Sequence, residues 1–312
     1  MYNNNVKIII FGSNGLVGSS IFNKLKKNKK FKEIVGSTRA DTNLFNLEET
    51  LKTVDEINPD IIINAAAKVG GIIANNAERF EFITENLKIN INILEAIKRN
   101  NKIKLINLGS SCIYPLDAPN PIKEEYIMTG PLEPTNSPYA MAKLTAIEMG
   151  SALKLEYGCN IINLMPTNLY GPNDNFSETR SHVIPGLITR MHNAKSKKEN
   201  TFEIWGTGKP LREFLFVEDL SQAIEFILEN DIKDNLINIG SNEEISIEKL
   251  ANLIKSTLNY KGELVFDDSK PDGNPRKLLD SSLIFNYGWK PEINLEDGLK
   301  LTYNWYLENL SN

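Results

Sequence analysis

The stretch Val6–Phe11 reads VKIIIF and runs directly into Gly12-Ser13-Asn14-Gly15-Leu16-Val17-Gly18. A short continuous apolar run marks a parallel strand covered on both faces. Glycines at three-residue spacing allow a tight turn, close backbone approach to a ligand and close packing of the helix that follows. The first N–H groups of that helix, at the positive end of its dipole, then face an anion. A glycine triplet alone is a weak signal. Here it follows a strand and opens an amphipathic stretch over residues 19–30, which is the context a dinucleotide pyrophosphate needs. Residues 12–18 are therefore expected to hold a dinucleotide cofactor.

The same alternation continues. Further strands are expected at residues 33–37, 61–65, 104–108 and 161–165, with helices at 47–57, 80–99 and 139–157 between them. Apolar residues in 80–99 fall three and four apart at Ile83, Leu87, Ile91, Leu94 and Ile97. Strands alternating with helices predict an α/β fold with a doubly wound parallel sheet of Rossmann type. After residue 165 the periodicity weakens and Gly, Pro and Asn become frequent. The expected division is a cofactor domain over 1–165, to which 213–239 returns, and a smaller loop-rich substrate domain from 166–212 and 240–312. The many asparagines read as composition bias.

A chain of 312 residues suits one large or two modest domains. Its 41% hydrophobic and 24% charged residues exclude disordered and fibrous classes. The net charge of −5 argues against nucleic acid as a partner, while a small polyanion can still be held by a few placed cations. Two cysteines, Cys112 and Cys159, and two histidines, His182 and His192, are too few for a disulfide framework or a structural zinc site, so no metal is expected. No apolar run reaches the roughly 18–20 residues of a membrane helix, and no signal-peptide core is visible. The expected protein is soluble and cytoplasmic. Cys159 is expected to pack between a helix and a strand, and His192 to lie on the surface.

The end of the second strand should meet the adenosine ribose. Ser37-Thr38-Arg39 stands there. An arginine suits a 2′-phosphate, which favours NADP(H), whereas Asp41 nearby would suit the free hydroxyl of NAD. Farther on, Tyr139 and Lys143 lie four apart, one turn apart on one helix face. An ammonium beside a phenol should lower the phenol's pKa, and such a tyrosine can exchange a proton with an alcohol or ketone oxygen. Ser110, at the end of a strand, can hydrogen-bond the same oxygen.

In this order, the glycine loop, the strand-end serine and the YxxxK pair resemble the extended short-chain dehydrogenase/reductase family. Residues 65–72 (AAAKVGGI), 108–115 (LGSSCIYP), 132–140 (LEPTNSPYA), 165–172 (MPTNLYGP), 181–185 (SHVIP), 212–215 (REFL) and 270–273 (KPDG) narrow the resemblance. They are similar to members that act on a GDP-linked keto-sugar. The resemblance implies NADPH-dependent 3,5-epimerisation and 4-reduction of GDP-4-keto-6-deoxy-D-mannose to GDP-L-fucose, or a related reaction on another hexose or nucleotide. Dehydratases of this superfamily carry an acidic pair just after the strand-end serine. Cys112-Ile113 stands there instead, and the resemblance implies that Cys112 and His182 form an epimerisation pair. It further implies that Leu108, Gly109, Pro166, Asn168, Leu169 and His182 line the cofactor, and that Arg190, Trp205, Arg212 and Asp272 contact the GDP-sugar. It also implies a homodimer through helices 80–99 and 139–157.

Overall fold

The protein is described here as a computed structural model covering residues 6–178, 180–270 and 272–310. Residues 1–5 and 311–312 of the expected domains, and Pro271 of the 270–273 turn, lie outside the described residues. The strands in chain order are β1 (Val6–Phe11), β2 (Phe31–Ser37), β3 (Ile61–Asn64), β4 (Lys104–Leu108), β5 (Ile161–Pro166), β6 (Asn168–Tyr170), β7 (Thr201–Trp205), β8 (Leu211–Phe216), β9 (Leu236–Ile239), β10 (Glu244–Ser246), β11 (Glu263–Asp267) and β12 (Arg276–Lys277). The helices are α1 (Leu16–Lys26), α2 (Leu47–Ile57), α3 (Ile72–Ala77), α4 (Arg79–Arg99), α5 (Ser137–Tyr157), α6 (Val183–Ser196), α7 (Val217–Glu229), α8 (Ile247–Leu258), α9 (Ser282–Tyr287) and α10 (Leu295–Asn309).

Six parallel strands form the larger sheet in the order β2-β1-β3-β4-β5-β9. Alternating side chains of the central strands feed two cores. Ile8, Ile10, Ile61 and Ile63 pack against α1, α7 and α9. Ile9, Phe11, Ile62 and Leu105 pack against α2, α4 and α5. Cover on both faces explains why these strands read as unbroken apolar runs. The chain order reverses between β1 and β3. A ligand crevice belongs at such a switch point, beyond the carboxyl ends of the strands.

A buried polar ladder crosses this sheet. Asn64, Asn107 and Asn163 are in register on β3, β4 and β5. The Asn64 amide donates to Asn107 Oδ1 at 3.1 Å and to Asn90 Oδ1 of α4 at 3.1 Å, and Asn107 donates to Asn163 Oδ1 at 3.0 Å. Asparagine at these positions is therefore architectural, which corrects the view of it as composition bias.

The smaller region differs from the expected loop-rich segment. Residues 166–212 contain β6, β7 and the 14-residue α6. β8 pairs with β6, β10 and β12 in a second sheet, so the return to the larger sheet begins at α7 and β9. A separate core joins Phe176, Ile184, Phe202 and Phe214 to Leu250 of α8 and Tyr306 of α10. His192 is part of that packing and not a free surface residue. It is half-buried, its Nδ1 lies 3.0 Å from Tyr303 Oη, and its ring meets Tyr306 edge-on. Cys159 is buried between α5 and β5, 3.9 Å from the Ile97 carbonyl. Among the described residues, no helix is long and apolar enough to cross a membrane.

Replacing Asn107 by Ala strips a donor from Asn163 and an acceptor from Asn64. The expected cost is about 1–3 kcal/mol. Urea unfolding should show a lower midpoint at unchanged slope; an unmoved midpoint would show that the ladder adds nothing to stability.

Candidate active site

The carboxyl ends of β1, β3 and β4 build the floor of the crevice. Gly12 has φ +78, and a Cβ there would lie 2.8 Å from the Ala66 backbone. A Cβ on Gly18 would lie 2.1 Å from the Gly12 carbonyl oxygen, so α1 can approach the loop only with glycine at that position. Gly15 is different: its Cβ would meet only the Gly12 carbonyl oxygen, at 3.7 Å, an ordinary contact. Open space at Gly15 suits close approach of a ligand. Gly15 is the N-cap of α1 and no side chain caps that helix, so its first-turn N–H groups remain for an anion. The Gly12 and Ser13 N–H groups both donate to the Ser37 carbonyl, which ties the loop to β2. Asn14 is exposed, and Leu16 and Val17 are half-buried beside it. These residues fit a dinucleotide.

At the end of β2, the exposed Arg39 guanidinium lies over the Phe45 ring at 4.8 Å. Asp41 is spent locally. One carboxylate oxygen accepts from the Thr38 N–H at 2.8 Å and from the Thr38 hydroxyl at 2.7 Å, and these bonds hold its pKa below the usual value. The carboxylate that would have read a ribose hydroxyl closes a turn instead, and the arginine is left facing outward.

Ser110 follows β4 and caps a short 3-10 turn, Ser111–Ile113; its Oγ accepts from the Cys112 N–H at 3.2 Å. Tyr139 and Lys143 sit on the first turns of α5, with the ammonium 5.8 Å from the phenol ring centre. Phe82 of α4 meets the Tyr139 ring edge-on at 6.5 Å. Lys143 is 2% exposed and donates to the Leu108 carbonyl at 2.7 Å. Burial depresses its pKa to about 8. Burial also raises the Tyr139 phenol; Cys112 adds to the rise and the Ser110 hydrogen bond opposes it. This differs from the expectation that Lys143 lowers the phenol. In so enclosed a place desolvation outweighs the neighbouring amine, and the Tyr139 phenol is kept protonated. Gly109 is buried, where a Cβ would collide with the Met165 side chain at 2.2 Å.

The Cys112 sulfur is partly accessible and accepts from Asn136 Nδ2 at 3.5 Å. The sulfur lies within electrostatic reach of both Tyr139 and Arg212. Asn136 was not among the residues expected from sequence. Its only sequence signal is an amide at the helix start, three residues before Tyr139.

His182 is the N-cap residue of α6. It is exposed, and partial desolvation by the protein around it lowers its pKa. Among the described residues its imidazole has no hydrogen-bond partner. The preceding backbone is docked on the loop before α3, where the Gly71 N–H donates to the Arg180 carbonyl at 3.1 Å. The adjoining Gly70 packs on Phe82, the same ring that meets Tyr139.

On the other wall, Arg212 of β8 donates to the Leu211 and Asn274 carbonyls, and burial lowers its pKa against the pull of Asp272. Asp272 accepts from the Thr207 N–H at 2.9 Å and the Thr207 hydroxyl at 2.7 Å. Those bonds lock the turn after Trp205, whose indole is 54% exposed. Arg190 stacks on Phe202 at 5.4 Å. Pro166 ends β5; the Asn168 amide donates to the Glu213 carbonyl at 2.8 Å, and Leu169 packs on the larger core. Asn168 and the Trp205 turn are thus held by β8 and its neighbours. Arg190 stands apart on α6, about 12 Å along the axis from His182. Among the described residues no three His, Cys, Asp or Glu side chains group as metal ligands.

Residues 8–240 match the family described as NAD dependent epimerase/dehydratase. The chain is 45% identical over 312 residues to GDP-L-fucose synthase 1 of Arabidopsis thaliana, covering 100% of this chain and 96% of that protein. Among solved structures, a GDP-L-fucose synthetase from Naegleria fowleri bound to NADP superposes with TM-score 0.90 at 30% identity, over 99% of this chain and 95% of that one. A GDP-6-OMe-4-keto-L-xylo-heptose reductase from C. jejuni gives TM-score 0.91 at 34% identity, over 98% of this chain and 99% of that one.

The Lys143 amine titrates near 10.5 in an unfolded chain and near 8 when folded. Between those values the unfolded chain binds more protons, so this group makes stability rise with pH. The unfolding free energy of the wild type minus that of Lys143→Met should therefore increase from pH 8 to 10.5. A flat difference in denaturant titrations would mean the amine is not desolvated.

Proposed function

This chain belongs to the NAD dependent epimerase/dehydratase family, and we propose that it is an NADPH-dependent 3,5-epimerase/4-reductase converting GDP-4-keto-6-deoxy-D-mannose to GDP-L-fucose. The observation that carries this reading is a further proton-exchanging group beside a first acid–base set: the Cys112 thiol stands beside Ser110 and Tyr139, which Lys143 backs. A reductase alone needs only the first set.

The chemistry follows from one ketone. A carbonyl at C4 acidifies the protons on C3 and C5. Inversion at either carbon needs a base on one face and an acid on the other. Cys112 and His182 take those parts. When Cys112 acts as base, the C–H bond breaks, an S–H bond forms, and the electron pair moves onto the C4 oxygen. Ser110 and Tyr139 supply hydrogen bonds where that charge develops. The nicotinamide supplies a hydride to C4 when bound. Tyr139, kept protonated by burial, gives its proton to the same oxygen. Lys143 supports the ribose side from beneath the phenol.

The glycine loop holds the pyrophosphate, with Leu108, Gly109, Pro166, Asn168, Leu169 and His182 along the cofactor. Arg39 meets the 2′-phosphate. Arg190 and Arg212 balance the diphosphate of GDP, Trp205 offers an exposed ring to the nucleotide or sugar, and Asp272 holds that turn in shape. The enzyme works in the cytoplasm as a homodimer. Phe80 and Ile91 on α4, and Met141, Leu155 and Tyr157 on α5, leave apolar surface outside the α4–α5 contact. Reduction of another GDP-linked keto-sugar is the second reading, and the heptose reductase likeness favours it.

Purified protein with the keto-sugar nucleotide and NADPH should oxidise the cofactor and yield GDP-L-fucose. Turnover only with a different sugar nucleotide would overturn the reading. In deuterated solvent, Cys112→Ser should stop or slow isotope entry at C3 and C5. For the cofactor, Arg39→Ala should raise the KM for NADPH about tenfold or more and leave that for NADH nearly unchanged. Equal changes for both would remove Arg39 from phosphate recognition.

A further inference from the structure

We propose that Asn136 is a positioning residue for Cys112: its side-chain N–H donates to the sulfur and holds charge there through the proton transfers. The proposal rests on the reading of Cys112 as one half of the epimerisation pair. Asn136 occupies the N-cap position of α5, where an asparagine side chain ordinarily accepts a hydrogen bond from the helix's own first turn. It makes no such bond. Its Nδ2 is instead 3.5 Å from Cys112 Sγ, and its buried Oδ1 has no partner among the described residues. The residue therefore forgoes the stabilising contact its position offers, and leaves an acceptor unsatisfied, while its donor stays on the thiol. That is a costly arrangement for a group with only a packing role.

The backbone around it is clamped from both sides. The Glu133 carboxylate accepts from the Thr135 N–H at 3.1 Å and the Asn136 N–H at 3.1 Å, and also takes the Thr135 hydroxyl. Arg79 of α4 donates to the Pro134 carbonyl at 2.9 Å and to Ser137 Oγ at 3.2 Å. Five bonds thus hold residues 133–137, and the amide is delivered to the sulfur by a rigid corner. An N–H donor on a thiolate stabilises the charged form. The Tyr139 phenol and the Arg212 guanidinium are also within electrostatic reach of the sulfur, one a neutral acid and the other a cation.

The test is the rate at which iodoacetamide alkylates Cys112 across pH 6–10 in the intact protein, in a Cys159→Ala background. Cys159 is 1% exposed, so its removal only silences a slow competing signal. Asn136→Ala should move the half-maximal pH upward and cut the rate at pH 7 about threefold to tenfold. Asn136→Asp keeps shape and acceptor, loses the donor and adds negative charge; its rate should fall further than that of the alanine variant. A packing role leaves the half-maximal pH of the alanine variant at the wild-type value, with only the added charge of Asp slowing the reaction, and that result overturns the proposal. Because alkylation is read on the free protein, it separates the two claims. Cys112→Ser with undiminished isotope entry at C3 and C5 would sink the catalytic reading of the thiol, while the alkylation profiles alone decide the hold of Asn136 on the sulfur.

Discussion

The register of β3, β4 and β5 decides everything at the mouth of the crevice, and the asparagine ladder pins it. Asn64 ends β3, Asn107 is one residue from the end of β4 and Asn163 is three from the end of β5, so each lies close to where its strand hands over to a loop of the site. Beyond Asn64 come Ala65 and Ala66, the backbone against which Gly12 closes. Beyond Asn107 come Leu108, Gly109 and Ser110, and beyond Asn163 come Met165 and Pro166. A slip of one residue in any strand would turn its side chains to the opposite face. It would also leave amides unpaired in a core that is otherwise apolar, where each lost bond costs more than a bond gained elsewhere returns. The polar ladder thus makes the wrong register expensive.

Above that floor, desolvation governs the reacting groups. Lys143 is brought down toward neutrality and Tyr139 is pushed up by the same enclosure. The pair tends to a neutral phenol over a weakly basic amine, a state suited to giving a proton to a developing alkoxide. His182, exposed though it is, also has its pKa lowered by desolvation. Under the proposed function the polyanions are met by Arg39, Arg190 and Arg212, each on a different part of the fold. An acidic chain can in this way hold polyanions without a broadly basic surface.

Much of this was legible in the sequence where the cause is local. VKIIIF followed by three spaced glycines specifies strand, turn and helix within one short segment, and the Tyr139–Lys143 spacing needs only a helix. Sequence reasoning failed at some local turns and wherever the cause is distant. α6 escaped notice because Pro185 and Gly186 lie in its opening turn, where proline is tolerated since those N–H groups lack helical partners anyway. Asp41 looked available to a ribose until the fold turned it onto Thr38. His192 acquired its role from Tyr303, more than a hundred residues later. The direction of the Tyr139 shift depends on how deeply α5 is buried, which its spacing cannot reveal. The ladder joins residues from three separate strands, and in one dimension they are only three asparagines among many.

The interleaving of the two regions has a consequence for how the protein is made. Tyr170 lies beside the first turns of α10, where a Cβ on Gly298 would strike its hydroxyl at 2.1 Å, and its Oη reaches the Leu295 carbonyl. Phe176 stacks on Trp305 of the same helix. The core begun at residue 170 is therefore closed by residues near 300. On the ribosome, the glycine loop and all but one strand of the large sheet emerge first, while Tyr170, Phe176, Phe214 and Phe216 wait without their last partner. For that interval the growing chain carries an unsealed aromatic surface, exposed to association with other chains, and the final helix is what removes it.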